Sequence, residues 1–123
     1  MQIKIELPIE PLPQPRARVT KNGTYQSAKI REYKSLIRMA GRAAMDGKLP
    51  TSKPVICTIK LYRKFKATSK RFGDLDNLFK SITDALNKIV YEDDSQIVRC
   101  IIEKITDAAP KIEVKITDEL SFE

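Results

Sequence analysis

Histidine is absent from the chain, and cysteine occurs only twice in its 123 residues. Without histidine, Ser-His-Asp and Cys-His catalysis, histidine-assisted ribonuclease chemistry and histidine-ligated zinc are all excluded. Cys57 and Cys100 each lie in an apolar, strand-like run, and neither has the C-x-x-C spacing of a metal site. We therefore expect two buried thiols rather than a disulfide.

Long hydrophobic runs are also lacking. No apolar segment approaches the ~18 residues that cross a bilayer, and the opening MQIKIELP alternates where a secretory signal would be continuously apolar. We expect a cytoplasmic protein with no membrane partner. A chain of 123 residues is long enough to bury one core, so we expect a single domain over residues 1–123.

Acidic residues are scarce in the first part of the chain. Residues 1–73 hold 17 Lys and Arg against 4 Asp and Glu, whereas residues 74–123 hold 6 and 12. A strongly basic half favours a polyanionic partner, and nucleic acid is the commonest one. A solvated basic surface that serves only solubility is the alternative.

The apolar pattern predicts a short list of elements. Alternation predicts a strand over 2–7, four prolines within 8–15 predict an extended arm, and Asn22-Gly23 predicts a tight hairpin turn. Apolar residues at helical spacing predict a helix over 28–46 that Ser27 caps and Gly47 ends. The buried stripe of that helix is Ile30, Tyr33, Ile37, Ala40 and Ala44, with Lys29, Lys34, Arg38 and Arg42 off it.

The pattern after residue 53 predicts one strand, a second helix and then a pair of strands. We expect a strand over 54–65, a helix over about 76–88, and a C-terminal β-hairpin of 96–105 and 111–117. The order is β, small hairpin, α, β, α, β, β. It indicates an α+β (α/β layered) fold, in which a mixed sheet of about four to five strands carries two main helices.

The stretch GDLDNLFKSITDAL (73–86) combines an apolar face with an unusual number of acids. Its core face is predicted to comprise Leu75, Leu78, Ile82, Ala85, Leu86 and Ile89. The opposite face is predicted to comprise Asp76, Lys80, Thr83, Asp84 and Asn87. Because Asp76, Lys80 and Asp84 are four apart, they form one ridge.

Ordinary helix electrostatics do not account for all of these acids. Helix-dipole and i,i+4 effects are worth a few tenths of a kcal/mol each, up to ~1, and explain one acid and one lysine. They leave Asp74 beside Asp76, and the second cluster Glu92-Asp93-Asp94, unexplained. Three aspartates from two places suit Mg²⁺, which can activate water on a phosphodiester. The residues alone leave three interpretations open: a metal-dependent nuclease, a non-catalytic nucleic-acid binder, and an acid-capped structural domain.

The pattern D-x-D-N-x-x-K-x-x-x-D-A-L, followed by D-D-x-Q, resembles the signature of the RusA family of Holliday junction resolvases, which is common in prophages. The stretches PQPRARVT and TYQSAKIREY are similar to the opening of that family. The resemblance extends from residue 2 to about 117.

The resemblance implies a set of site residues and a reaction. Asp74, Asp76 and Asp94 match acids that bind Mg²⁺ (or Mn²⁺), and Lys80 matches a lysine implicated in catalysis. The matching positions with supporting roles are Asn77, Asp84, Asp93 and Gln96, with Asp84 as a partner of Lys80. The family implies a homodimer, without a small-molecule cofactor, that nicks opposed strands of a four-way junction symmetrically and leaves 5′-phosphates, in DNA recombination and repair.

Basic residues outside the motif are candidates for phosphate contact. They are Arg16, Arg18, Lys21, Lys29, Arg31, Lys70 and Arg71. One departure is the turn NKIVY, where relatives often have glycine, so Asn87 or Lys88 must take any positive φ. We favour Asp94 over Asp93 as the ligand. A junction-binding protein without catalysis, or a nuclease of flaps or forks, is the alternative function.

Overall fold

The computed structural model describes residues 1–15, 27–64 and 74–120, and the backbone alone at 19–20 and 23–24. In this part of the chain, two α-helices and six strands follow in the predicted order, and a 3₁₀ turn precedes the fifth strand. The elements are β1 Gln2–Leu7, β2 Val19–Thr20, β3 Gly23–Thr24, α1 Ala28–Met45, β4 Val55–Arg63, α2 Leu75–Leu86, the 3₁₀ turn Asp94–Gln96, β5 Ile97–Thr106 and β6 Lys111–Thr117. The α+β class is confirmed. Neither helix is long and apolar enough to span a membrane.

The main sheet is mixed and has four strands in the order β1-β6-β4-β5. β4 pairs with β5 in parallel and with β6 antiparallel, and β6 also pairs with β1 antiparallel. The predicted C-terminal hairpin is therefore wrong, because β4 lies between β5 and β6. The connecting loop crosses the end of β4, where the Asp107 N–H donates to the Arg63 carbonyl at 3.0 Å.

The small hairpin predicted around Asn22-Gly23 is present as β2 and β3, in which Thr20 pairs with Gly23. The two cysteines are free and face each other across β4 and β5. Cys57 is buried as expected, whereas Cys100 is only partly buried. Cys57 is more deeply buried than Cys100 because β4 is a central strand, whereas β5 lies at the edge of the sheet.

The core lies between one face of the sheet and the two helices. Alternate residues of β1, β4 and β6 are buried there, as the period of two in a strand requires. The helices contribute Ile37, Leu78, Ile82 and Leu86, all fully buried. The other face of the sheet carries polar side chains such as those of Lys60 and Lys115.

Helix α1 begins and ends as predicted, but its buried stripe differs in part from the prediction. The Ser27 side chain accepts from the Ile30 N–H, and Asp46 and Gly47 both have positive φ just beyond the last turn.

Ala40 and Ala44 of the predicted stripe are only partly buried, whereas Gly41 and Met45 are buried in the last turns. Lys34, assigned to the solvent side, is only 5% exposed. That prediction is wrong because a long aliphatic stem can be buried while the ammonium reaches a partner on another helix.

Helix α2 departs from prediction at two positions. Thr83, assigned to the polar face, is fully buried, and its carbonyl accepts from the buried Tyr91 hydroxyl at 2.8 Å. Leu75, assigned to the core face, is 40% exposed because it lies in the first turn, at the end of the helix. The segment after α2 therefore folds back over the helix, which brings the second acidic cluster towards the first.

Candidate active site

Two aspartates lie at the start of α2. Asp74 is the N-cap, with extended backbone, and its carbonyl accepts from the Leu78 N–H at 3.1 Å. Within the described part of the chain, its carboxylate makes no capping hydrogen bond, although aspartate at this position usually does. Asp76 follows in the first turn, where the helix dipole favours negative charge. Both residues are exposed, so two carboxylates face solvent at one helix end.

Lys80 lies one turn further along α2 and contacts the second acidic cluster. Its Nζ is 2.8 Å from Oδ2 of Asp94 and 3.2 Å from Oδ1 of Asp84. These contacts, the one with Asp94 foremost, raise the pKa of Lys80 above its ordinary value. The lysine is therefore fully charged at neutral pH and is held from two sides.

The 3₁₀ turn that carries Asp94 is fixed by its own capping. The Ser95 N–H donates to the Asp93 carboxylate at 3.0 Å, and the Asp93 N–H donates to the Gln96 side chain at 2.9 Å. The Gln96 amide in turn donates to the carbonyls of Thr51 and Lys53. Hydrogen bonds from Ser95 lower the pKa of Asp93. Asp93 is thus committed to the turn, whereas the carboxylate of Asp94 points to Lys80.

The connection between α2 and this turn contains one residue with positive φ, at the place where relatives often have glycine. Lys88 has φ 68°, while Asn87 keeps φ −57°. The Lys88 N–H donates to the Tyr91 carbonyl at 2.8 Å, which closes the turn. Of the two residues that could take a positive φ, Lys88 does so.

A buried cation lies behind the ridge of α2. Lys34 Nζ is 3.9 Å from Oδ2 of Asp84, the carboxylate that also holds Lys80. Burial lowers the pKa of Lys34, an effect that Asp84 opposes. Lys34, Asp84, Lys80 and Asp94 form a row of alternating charge that links α1, α2 and the 3₁₀ turn. Helical periodicity did not identify Lys34, since its partner is fifty positions away.

The proline arm packs against the same helix. The Gln14 N–H donates to the Asn77 carbonyl at 2.8 Å, and the Ser81 hydroxyl donates to the Leu12 carbonyl at 2.6 Å. The backbone of Asn77 thus anchors the arm next to the acidic end of α2. Lys29 lies beside the arm, in a shallow depression with Leu12, Pro13 and Pro15.

The candidate DNA-binding residues are only partly covered by the structure. Lys29 and Arg31 are exposed on the first turn of α1. Five of the predicted contacts lie outside the described residues, namely Arg16, Arg18, Lys21, Lys70 and Arg71. Their roles stay predictions.

The three predicted metal ligands are chemically suited to a hard divalent cation, but they are not grouped around one point. Mg²⁺ takes oxygen ligands, few of them from protein and the rest from water or phosphate, and the carboxylates of Asp74, Asp76 and Asp94 would supply such a set. Within the described ranges, however, no three Asp, Glu, His or Cys side chains are grouped as a metal site. Lys80 instead compensates one carboxylate of the set. The metal site stays a prediction.

Comparisons with known proteins identify relatives of the chain. The family model described as Endodeoxyribonuclease RusA matches residues 8–117. The chain is 30% identical over 137 residues to the uncharacterized protein YqaN of Bacillus subtilis (strain 168), with 94% of this chain and 96% of that protein covered. It is 46% identical over 46 residues to the crossover junction endodeoxyribonuclease rusA of Lactococcus phage r1t, with 37% and 35% covered.

Proposed function

This chain belongs to the RusA family of endodeoxyribonucleases, and from that membership and its site we propose that it resolves four-way DNA junctions with the help of a divalent metal ion. The phage relative that it resembles is named a crossover junction endodeoxyribonuclease. The basic first half suits a polyanionic substrate, and an acidic cluster set against it suits a metal that acts on the phosphodiester.

One observation carries the proposal: the contact of Lys80 with Asp94. It joins the helix that bears Asp74 and Asp76 to the turn that bears Asp94, so that the two halves of the sequence pattern meet in space. A capped structural helix would need neither this contact nor two exposed aspartates at its first turn.

The residues would divide the work as follows. Asp74, Asp76 and Asp94 would hold Mg²⁺ (or Mn²⁺), which when bound lowers the pKa of a water and stabilises the leaving oxygen. Lys80 would compensate the negative charge that grows on the phosphate, since its ammonium is a point charge held beside Asp94. Asp84 holds Lys80 from the far side, and Asp93 fixes the turn below Asp94.

We also propose that two copies of the chain act together. A four-way junction has two-fold symmetry, so a homodimer with two-fold symmetry would present one site to each of two opposed strands. Paired symmetric nicks that leave 5′-phosphates would follow, and those nicks could be sealed by a ligase. No small-molecule cofactor enters this scheme.

A substrate panel tests the proposal against its alternatives. A mobile four-way junction, a linear duplex, a flap and a Y-shaped DNA, each 5′-labelled, are incubated with Mg²⁺ or with EDTA. We expect paired nicks in the junction with Mg²⁺ only, sealed by DNA ligase. Equal cutting of flaps or Y forms would favour the broader branched-DNA nuclease. Junction binding in EDTA with no cutting after Mg²⁺ is added would favour the inert binder and contradict the proposal.

The variant Asp76→Asn separates binding from chemistry in the same assay. It removes one carboxylate from an exposed helix turn, so we expect junction binding to persist and nicking to disappear. Asp107→Asn is the matched control, because Asp107 lies on the loop between β5 and β6 and bears the same charge. Nicking by Asp76→Asn at the wild-type rate would contradict the assigned role of Asp76.

A further inference from the structure

A basic cluster lies where the end of α1 meets the turn that follows α2. Arg38 and Arg42 from α1, Lys48 from the following loop, and Lys88 from the turn after α2 line a depression of about 370 Å³. We call these four residues the basic pocket. None of them was among the DNA-binding candidates identified from sequence.

The basic pocket concentrates positive charge, although Lys88 also interacts at longer range with Asp93, whose pKa it helps to lower. Among the described residues, none of its four cations forms an ion pair with a carboxylate. Four like charges around one concavity repel one another, and a bound anion would relieve that repulsion. The dipole of α1 favours a cation in its last turn, which explains Arg42 but not the other three.

The backbone at Lys88 gives an independent reason to assign a role to its side chain. A φ of 68° is unfavourable for any residue with a Cβ, and glycine would take it at no steric cost. Local strain of this kind persists where the surrounding structure enforces it, and it clusters at ligand sites. A lysine lines the pocket here although its backbone conformation is unfavourable.

The basic pocket shares both helices with the candidate active site but lies at the end of α2 opposite to Asp74 and Asp76. Arg38 lies one turn beyond Lys34, which contacts Asp84, and Lys88 lies four residues beyond Asp84. The two helices approach closely at Gly41, since a Cβ there would be 2.8 Å from Leu86 Cδ2.

We propose that the basic pocket binds a backbone phosphate of the junction DNA, about one length of α2 (roughly 18 Å) from the phosphodiester that is cut. The inference rests on the proposed function and adds a contact to it. Arginine forks suit the two non-bridging oxygens of a phosphodiester, and the two lysines add point charges. We assign the phosphate to DNA rather than to a lipid headgroup, because the chain belongs to a family of endodeoxyribonucleases.

Binding measured without cleavage tests this assignment. A fluorescent four-way junction is titrated in EDTA at several salt concentrations with wild type, Arg38→Gln/Arg42→Gln and Lys88→Gly. We expect weaker binding by both variants, and a slope of log affinity against log salt that falls by about one unit for each phosphate that the variant no longer neutralises. Lys60→Gln/Lys115→Gln is the control, since it removes two charges from the other face of the sheet.

The Lys88→Gly variant distinguishes removal of the ammonium from damage to the fold. It deletes the charged side chain while it relieves the strained backbone, so its melting temperature should equal or exceed that of wild type. Weaker junction binding by a protein of equal or greater stability supports the pocket.

Three results would overturn the assignment. The first is wild-type affinity and salt slope in both pocket variants. The second is equally weakened binding in the Lys60→Gln/Lys115→Gln control, which would show that the loss of affinity depends only on the net charge of the protein. The third is unchanged junction binding together with abolished binding to phosphatidylglycerol vesicles, which would assign the pocket to lipid. Each leaves the proposed function standing if wild type still cuts the junction; failure of wild type to bind or cut any branched DNA would overturn both.

Discussion

The ammonium of Lys80 lies 2.8 Å from the carboxylate of Asp94, although the two residues are fourteen positions apart and belong to different elements. The contact depends on the reversal at Lys88 and on the buried Tyr91 hydroxyl, which anchors the returning segment to the Thr83 carbonyl. It places a cation beside an acid that is expected to bind a metal ion.

Removal of the Lys80 charge should affect chemistry more than folding. Because Lys80 is about half exposed, Lys80→Gln should change the free energy of unfolding by no more than about 1 kcal/mol. Cleavage of a four-way junction should fall by about two orders of magnitude, as expected when one electrostatic stabiliser is removed. Single-turnover cleavage and urea unfolding measure the two effects. A variant that cuts like wild type would contradict the role of Lys80.

The buried Lys34 should matter for activity but not for stability. Its charge is costly to bury, so Lys34→Met should leave the free energy of unfolding unchanged or raise it by about 1 kcal/mol. Without Lys34, Asp84 is free to draw Lys80 away from Asp94, so cleavage should slow. Urea unfolding and single-turnover cleavage are compared with those of Lys115→Met, on the other sheet face. Strong destabilisation by Lys34→Met would show that the pair with Asp84 is structural.

The contact between the helices at Gly41 should be sensitive to one methyl group. Gly41→Ala places a Cβ 2.8 Å from Leu86 Cδ2 and 3.3 Å from Ile89 Cγ2, in a closely packed interface. Overpacking costs about 1–3 kcal/mol, and the better helix propensity of alanine offsets less than about 1 kcal/mol of it. We expect net destabilisation in thermal or urea unfolding. Ala43→Gly, at an exposed position of α1, measures the propensity effect alone. A Gly41→Ala protein more stable than wild type would contradict this packing.

Asp118 should give the fold a pH dependence in acid. It accepts from the Met1 ammonium at 2.8 Å and from the Thr51 hydroxyl at 2.7 Å, and these bonds lower its pKa below the ordinary 3.8. A lowered pKa stabilises the fold above pH 3.8, and this stability is lost as the pH falls through the folded value. Asp118→Asn should cost about 1 kcal/mol near pH ~6 and progressively less in stronger acid. A pH-independent difference in urea unfolding would contradict this account.

The sequence predicted which segments form strands, but not all of their partners. β1 and β6 have the predicted bounds, because alternation indicates one buried face directly. The error was to pair β5 with β6, since a connection as short as 107–110 normally joins neighbours. The apolar start of β4, with Val55, Cys57 and Ile59 buried, was the signal for a central strand that could separate them.

The candidate site was predictable where the signal was local. The ridge of Asp76, Lys80 and Asp84 follows from helical spacing, and the contact of Lys80 with Asp84 confirms that these two are neighbours. The partnership of Lys34 with Asp84 and the assembly of the basic pocket depend on how α1 packs on α2. Periodicity in one helix carries no information about charges on another, so neither could be derived from the chain alone.

Metal binding by Asp94 tests the central claim most directly. Free Mn²⁺ is followed by electron paramagnetic resonance as it is titrated into wild type, Asp94→Asn and the charge-matched control Asp107→Asn. We predict that wild type and Asp107→Asn bind Mn²⁺ alike and that Asp94→Asn loses most of that affinity, because one of the three carboxylates is gone. Equal Mn²⁺ binding by Asp94→Asn and wild type would contradict a metal site shared between the start of α2 and the 3₁₀ turn.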